Sequence, residues 1–138
     1  MATESTKEKI GHDPEIVFLC EQVRETSFAI HRFLRHGHLE KVYENALAHR
    51  LRLLDLKAEQ QRPLAVCDED GTLLGDFYAD LLINGKLVVE LKACDRLADE
   101  HTAQVLGYLR ASRLEHAMLI NFGSPVIQFK KFILNSLS

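Results

Sequence analysis

The run Leu87-Val88-Val89-Glu90-Leu91-Lys92-Ala93 constrains this chain most, because it sets an acid and a base two residues apart inside an apolar segment. On a strand, successive side chains point to opposite faces. Glu90 and Lys92 then share one face, and Leu87, Val89 and Leu91 take the other. Upstream, Asp80 interrupts a second apolar run, Phe77-Tyr78-Ala79-Asp80-Leu81-Leu82-Ile83. Taken singly, Glu90 and Lys92 suit an exposed sheet face. Asp80 is harder to place, because a carboxylate buried without a partner is costly. An Asp, a Glu and a Lys on neighbouring strands suit the holding of a divalent cation and the placing of a water, which points to phosphodiester hydrolysis.

Whether these groups meet depends on the turn at Asn84-Gly85. A two-residue hairpin pairs Ile83 with Lys86 and puts Asp80 and Glu90 on opposite faces, where they share no site. A three-residue connection, Asn84-Gly85-Lys86 with Gly85 or its neighbour in the left-handed region, sets Asp80 opposite Glu90. The longer connection, or an equivalent bulge, is the one expected.

With 138 residues, 46% apolar and 27% charged, the chain has the make-up of one globular domain over 13–138, behind a disordered lead over 1–12. No apolar run is long enough for a membrane helix and the polar start is no signal peptide, so the expectation is a cytoplasmic protein without a membrane partner. Cys20, Cys67 and Cys94 are odd in number and form no Cys-x-x-Cys pair. They are expected reduced and mostly buried rather than bridged or zinc-bound. A net charge of −3 argues against a protein that coats nucleic acid non-specifically, although clustered site carboxylates add negative charge of their own.

Asp13-Pro14 predicts a helix start, with an apolar stripe of Ile16, Leu19, Cys20, Val23, Ile30 and Leu34 running to about 35. Gly37 breaks it. A second helix is expected over 39–54, with Val42, Ala46, Leu47, Leu51 and Leu54 facing inward. Strands follow at 58–67, 73–83 and 86–93, then a helix over 95–111 and strands at 115–121 and 126–133. Two helices, a meander, a helix and two strands give an α/β fold, its mixed central sheet flanked by helices. The strand after the third helix returns parallel to the meander.

Three further features join the acids. Gly37-x-x-Glu40-x-x-Tyr43 opens the second helix, Gln104-x-x-x-Tyr108 lies on one face of the third, and Asn121-Phe122-Gly123 closes the buried strand. Glu40, Asp80, Glu90-Leu91-Lys92 and Gln104-x-x-x-Tyr108, in that order, resemble the PD-(D/E)XK nuclease superfamily, the restriction-endonuclease-like fold. The branch most resembled is the one with recombination-repair-type exonucleases. Tyr78-x-Asp80-Leu81, Val89-Glu90-Leu91-Lys92-Ala93, Ala103-Gln104-x-Leu106-x-Tyr108-Leu109 and Leu119-Ile120-Asn121-Phe122-Gly123 are similar to the small GxxExxY family within it. The likeness runs from about Pro14 to Ile133. One departure is that Ala79, not proline, precedes Asp80.

The resemblance implies Mg²⁺ or Mn²⁺ as cofactor, nucleic acid and above all DNA as substrate, and catalysis by Glu40, Asp80, Glu90, Lys92 and Gln104. Asp80 and Glu90 are hard-oxygen ligands, to which Glu40 and the Leu91 carbonyl add. A bound cation activates water and offsets charge on the phosphate. Lys92 would orient the nucleophile or stabilise the transition state. Gln104 would hydrogen-bond Lys92, the water or a phosphate, and Tyr43 and Tyr108 would contact substrate. Bland readings compete: a first-turn Glu40 favoured by the helix dipole, a packing Tyr43, half-buried Gln104 and Tyr108. His36, His38 and His101 show no ligand spacing, and Asp68-Glu69-Asp70-Gly71 is an acidic turn rather than a calcium loop. Beside the hydrolase stands a second expectation, a silent nuclease-fold module that binds nucleic acid or a protein partner in a repair or defence complex. A homodimer or partner would help so small a domain grip a long substrate.

Overall fold

The computed structural model describes residues 13–134, so the lead expected over 1–12 lies outside the described residues. Helix α1, Pro14–Leu34, begins as its sequence predicts. Asp13 caps it by accepting the Glu15 and Ile16 amides at 3.0 and 3.4 Å, and Pro14 occupies the first turn, where no amide is needed. Ile16, Leu19, Val23 and Ile30 are buried, whereas Cys20 and Leu34 only border the core. The cysteines were expected mostly buried; all three are free and half-buried.

Helix α2, Glu40–Leu53, presents a different stripe from the one its leucines and valines imply. Tyr43, Glu44, Leu47, Ala48 and Leu51 are buried, while Val42 and Leu54 are 39% and 50% exposed. The helix is rotated because Tyr43 stacks on Phe122 (centroids 4.7 Å apart, planes 11° apart) and Glu44 turns inward to polar partners on the sheet. Aromatic area and a satisfied carboxylate outweigh the burial of Val42.

Strands β1 (Ala58–Cys67), β2 (Leu73–Ile83) and β3 (Leu87–Lys92) form the meander, and helix α3 (Asp99–Ser112) leads to β4 (His116–Asn121) and β5 (Gln128–Ile133). The five strands lie in chain order, all neighbours antiparallel except β3 and β4, which run parallel as the crossover through α3 requires. This is the mixed sheet expected for a restriction-endonuclease-like α/β fold. Helix α3 starts four residues later than predicted. Residues 93–98 are tied down instead: Leu97 donates its amide to Gln128 Oε1 and Ala98 donates to His101 Nδ1.

One core lies between the sheet and α1 and α2, taking Leu87, Val89 and Leu91 from β3 and Met118 and Ile120 from β4. The other lies under α3, with Val88, Ala117, Leu119, Val105 and Leu109. The two faces of β3 are thus divided as its alternation predicts. Among the described residues no helix is long and apolar enough to cross a membrane.

Candidate active site

The turn after β2 decides whether the acids meet. Ile83 pairs with Leu87, leaving Asn84-Gly85-Lys86 as a three-residue connection, with Asn84 and Gly85 at φ 51° and 69° and the Lys86 amide bonded to the Ile83 carbonyl. This is the longer connection that a shared Asp80–Glu90 site requires. Its register, Leu81↔Val89, sets Asp80 opposite Glu90.

The β2–β3 ladder ends at Leu81↔Val89, and the strands part beyond it. Asp80 fills the gap. Its Oδ2 accepts the Leu91 amide at 2.8 Å, where a continuing strand would offer a carbonyl, and its own amide points to Glu90 Oε1 at 3.4 Å. Asp80 also marks a change of face along β2. Phe77 and Ala79 pack under α3, whereas Leu81 and Ile83 pack under α1 and α2, although all four are odd-numbered. Opposite, β1 does the same: Ala58 joins the first core, while Leu64 and Val66 border the second. Between them sits Gln61, with φ 50° in mid-strand.

A polar network converges on this switch. Glu44, 3% exposed, accepts from Lys41 Nζ (2.9 Å) and Gln60 Nε2 (2.8 Å) at one oxygen and from Gln61 Nε2 (2.8 Å) at the other. Gln61 Nε2 also reaches Asp80 Oδ1 at 3.2 Å. Glu44, Gln60 and Gln61 were absent from the sequence-based set. Glu44 follows Glu40 by one helical turn and the Gln-Gln pair is a polar step in a strand, but neither is distinctive until the fold joins them.

Burial, and then the neighbouring Asp80 charge, push the Glu90 carboxyl up to about 8, with the Lys92 ammonium working weakly against them. Glu40, in the first turn of α2, is exposed yet shielded enough that lost hydration raises its carboxyl, with Asp80 adding to the effect and Lys92 opposing it. Glu40, Asp80, Glu90 and Lys92 therefore feel one another's fields. Three hard-oxygen carboxylates are the donor type that Mg²⁺ or Mn²⁺ takes. Among the described residues, however, no three Asp, Glu, His or Cys side chains are gathered around one point. Leu91, whose carbonyl is an expected ligand, donates its amide to Asp80 Oδ2.

The other candidates are placed differently. Tyr43 was expected to touch substrate; it is fully buried, donates to the Arg35 carbonyl at 2.5 Å and accepts the His38 amide at 3.2 Å, so it locks the loop before α2. Tyr108 stacks on Phe77, ring centroids 3.9 Å apart, beneath the β1–β2 arm. Gln104 is exposed on α3, and among the described residues no hydrogen bond joins it to Lys92. Asn121, named only as the end of a strand, is a buried staple. It bonds both the amide and the carbonyl of Cys94, the Gly123 amide and Gln128 Oε1, all within 2.9–3.0 Å. It thereby holds the chain just after Lys92.

No curated protein and no solved structure matches the chain. A family model described as the PD-(D/E)XK nuclease superfamily matches residues 18–132, which takes in Glu40, the Asp80–Glu90 pair, Lys92 and Asn121. With that match spanning most of its length, and a mixed sheet that sets an Asp against a Glu-x-Lys, this chain belongs to the PD-(D/E)XK nuclease superfamily.

Proposed function

We propose that the chain hydrolyses phosphodiester bonds of nucleic acid, DNA foremost, as a member of the GxxExxY group, with Mg²⁺ or Mn²⁺ at Asp80 and Glu90. The observation that supports this best is the Asp80–Glu90 apposition at the parted end of β2 and β3. Two carboxylates are brought together where Lys92 alone does not balance them. The donors fit a hard divalent cation by type. Glu40 and the Leu91 carbonyl complete the proposed set. When bound, the cation supplies charge neutralisation at the phosphate and a more acidic water. Asp80, fixed by the Leu91 amide, gives the site its rigid point. Glu90, whose carboxyl is raised to about 8 by burial and the Asp80 charge, would serve as a ligand in its deprotonated form. Lys92 holds the reacting phosphate oxygen or the attacking water. Gln104 would have to swing from solvent to join them, and Tyr108 would act only at the rim.

A second reading, a silent nuclease-fold module binding nucleic acid or a protein partner, with or without a homodimer, is favoured by one observation: the carboxylates are not gathered around a common point. Cleavage of labelled single- and double-stranded DNA, a flap and RNA, in Mn²⁺ and in Mg²⁺, separates the two. Wild type should cut at least one substrate, and Lys92→Ala should cut none. Equal cutting by both would mean contamination or a wrong site, and none by a folded wild type would reject the enzyme.

A further inference from the structure

Gln61 is the residue of β1 that the nuclease reading leaves without a role, and its backbone is the least comfortable in the strand. A non-glycine residue at φ 50° sits in the left-handed region, which is strained and persists only where the surroundings enforce it. What the conformation achieves is visible in its contacts. The two protons of the Gln61 amide go to two carboxylates, Glu44 Oε1 at 2.8 Å and Asp80 Oδ1 at 3.2 Å. Glu44 is itself buried and held at its other oxygen by Lys41 and Gln60. The Asp80 carboxylate is then fixed from both sides, by the Leu91 amide on Oδ2 and by Gln61 on Oδ1. With an ordinary strand φ at this position, the β1 side chains would keep to one alternation along the whole strand. The exchange of faces between Ala58 and Leu64 shows that they do not.

We propose that Gln61, anchored by Glu44, is a positioning residue that sets the orientation of the Asp80 carboxylate. The assignment rests on the nuclease reading for its consequence but not for its geometry. The two are tested separately. In metal-free ¹⁵N-labelled protein, the Gln61 side-chain amide is identified by its loss in Gln61→Glu, which is isosteric and lacks the donors. That signal should shift in Asp80→Asn and in Glu44→Gln; a Gln61 signal unmoved by both would overturn the bridge. In cleavage assays with Mn²⁺, Gln61→Glu should lower kcat at least tenfold with KM for substrate unchanged. An unaltered kcat beside an active wild type would overturn the positioning role. A wild type that cuts nothing would sink the nuclease reading, while the amide signal would still decide the bridge. Finally, Gln61→Gly should melt above Gln61→Ala. Both lose the amide and only glycine fits the left-handed backbone. The reverse order would remove the strain from which the assignment starts.

Discussion

Asp80 Oδ2 accepts the Leu91 amide at 2.8 Å, so an acid from one strand finishes the hydrogen bonding of its neighbour at the point where the two strands separate. A carboxylate bonded in this way is a structural piece and a chemical one at once. Asparagine can accept the same amide through its Oδ1, so Asp80→Asn should keep the fold while losing the charge. We expect the variant to melt within a few degrees of wild type and to lose metal-dependent cleavage by ~100-fold or more, the scale of removing a principal electrostatic contact. Differential scanning fluorimetry beside a cleavage assay checks both. Retained cutting would mean that Asp80 serves only the sheet.

Stability without metal should depend on pH through Glu90. Its carboxyl is raised from 4.5 to about 8 in the folded chain, so between these values the native state holds a proton that the unfolded state has released. The stability that Glu90 contributes is therefore fully present below pH 4.5 and is lost as the pH rises through about 8. At about 1.4 kcal/mol per pKa unit the loss is on the order of a few kcal/mol. The raised Glu40 acts in the same direction. Melting in EDTA should show a midpoint that falls from pH 5 to 8.5, and Glu90→Gln should flatten the slope. Mg²⁺ should raise the midpoint more at pH 8 than at pH 5; no pH dependence in wild type would show that Glu90 is not held protonated.

Asn121→Ala should unfold the protein more easily than any substitution among the acids. It orphans the Cys94 amide and carbonyl and the Gly123 amide, all beside a fully buried side chain. Each unsatisfied buried group costs about 1–3 kcal/mol, reduced where water enters. We expect a total of roughly 3 kcal/mol by urea denaturation. A loss below about 0.5 kcal/mol, the range of an ordinary surface change, would mean that the staple is dispensable.

Tyr43→Phe separates packing from substrate contact. The phenol donates to Arg35 and accepts from His38, while its ring lies against Phe122. Removing the hydroxyl should lower stability by about 1 kcal/mol and leave KM for substrate unchanged. A raised KM with unchanged stability would restore the substrate role.

The strand identities, the capped start of α1 and the division of β3 into an apolar and a charged face were legible in the chain, because period-two alternation and turn chemistry are local. The three-residue turn followed instead from requiring Asp80 and Glu90 to share a face, since only that length sets them against each other. The α2 stripe was not legible. Tyr43 and Glu44 are buried by partners 79 and 16–17 positions away, Phe122 and the Gln60-Gln61 pair, and no periodicity encodes them. The second layer of the site was hidden for the same reason. Glu44, Gln61 and Asp80 lie on three elements, and their meeting depends on a left-handed residue opposite the end of a ladder. Residue types determined that carboxylates and a lysine would lie on adjoining strands. Only tertiary packing decided how each carboxylate is aimed, because hydrogen-bond direction depends on which backbone groups the fold leaves unpaired.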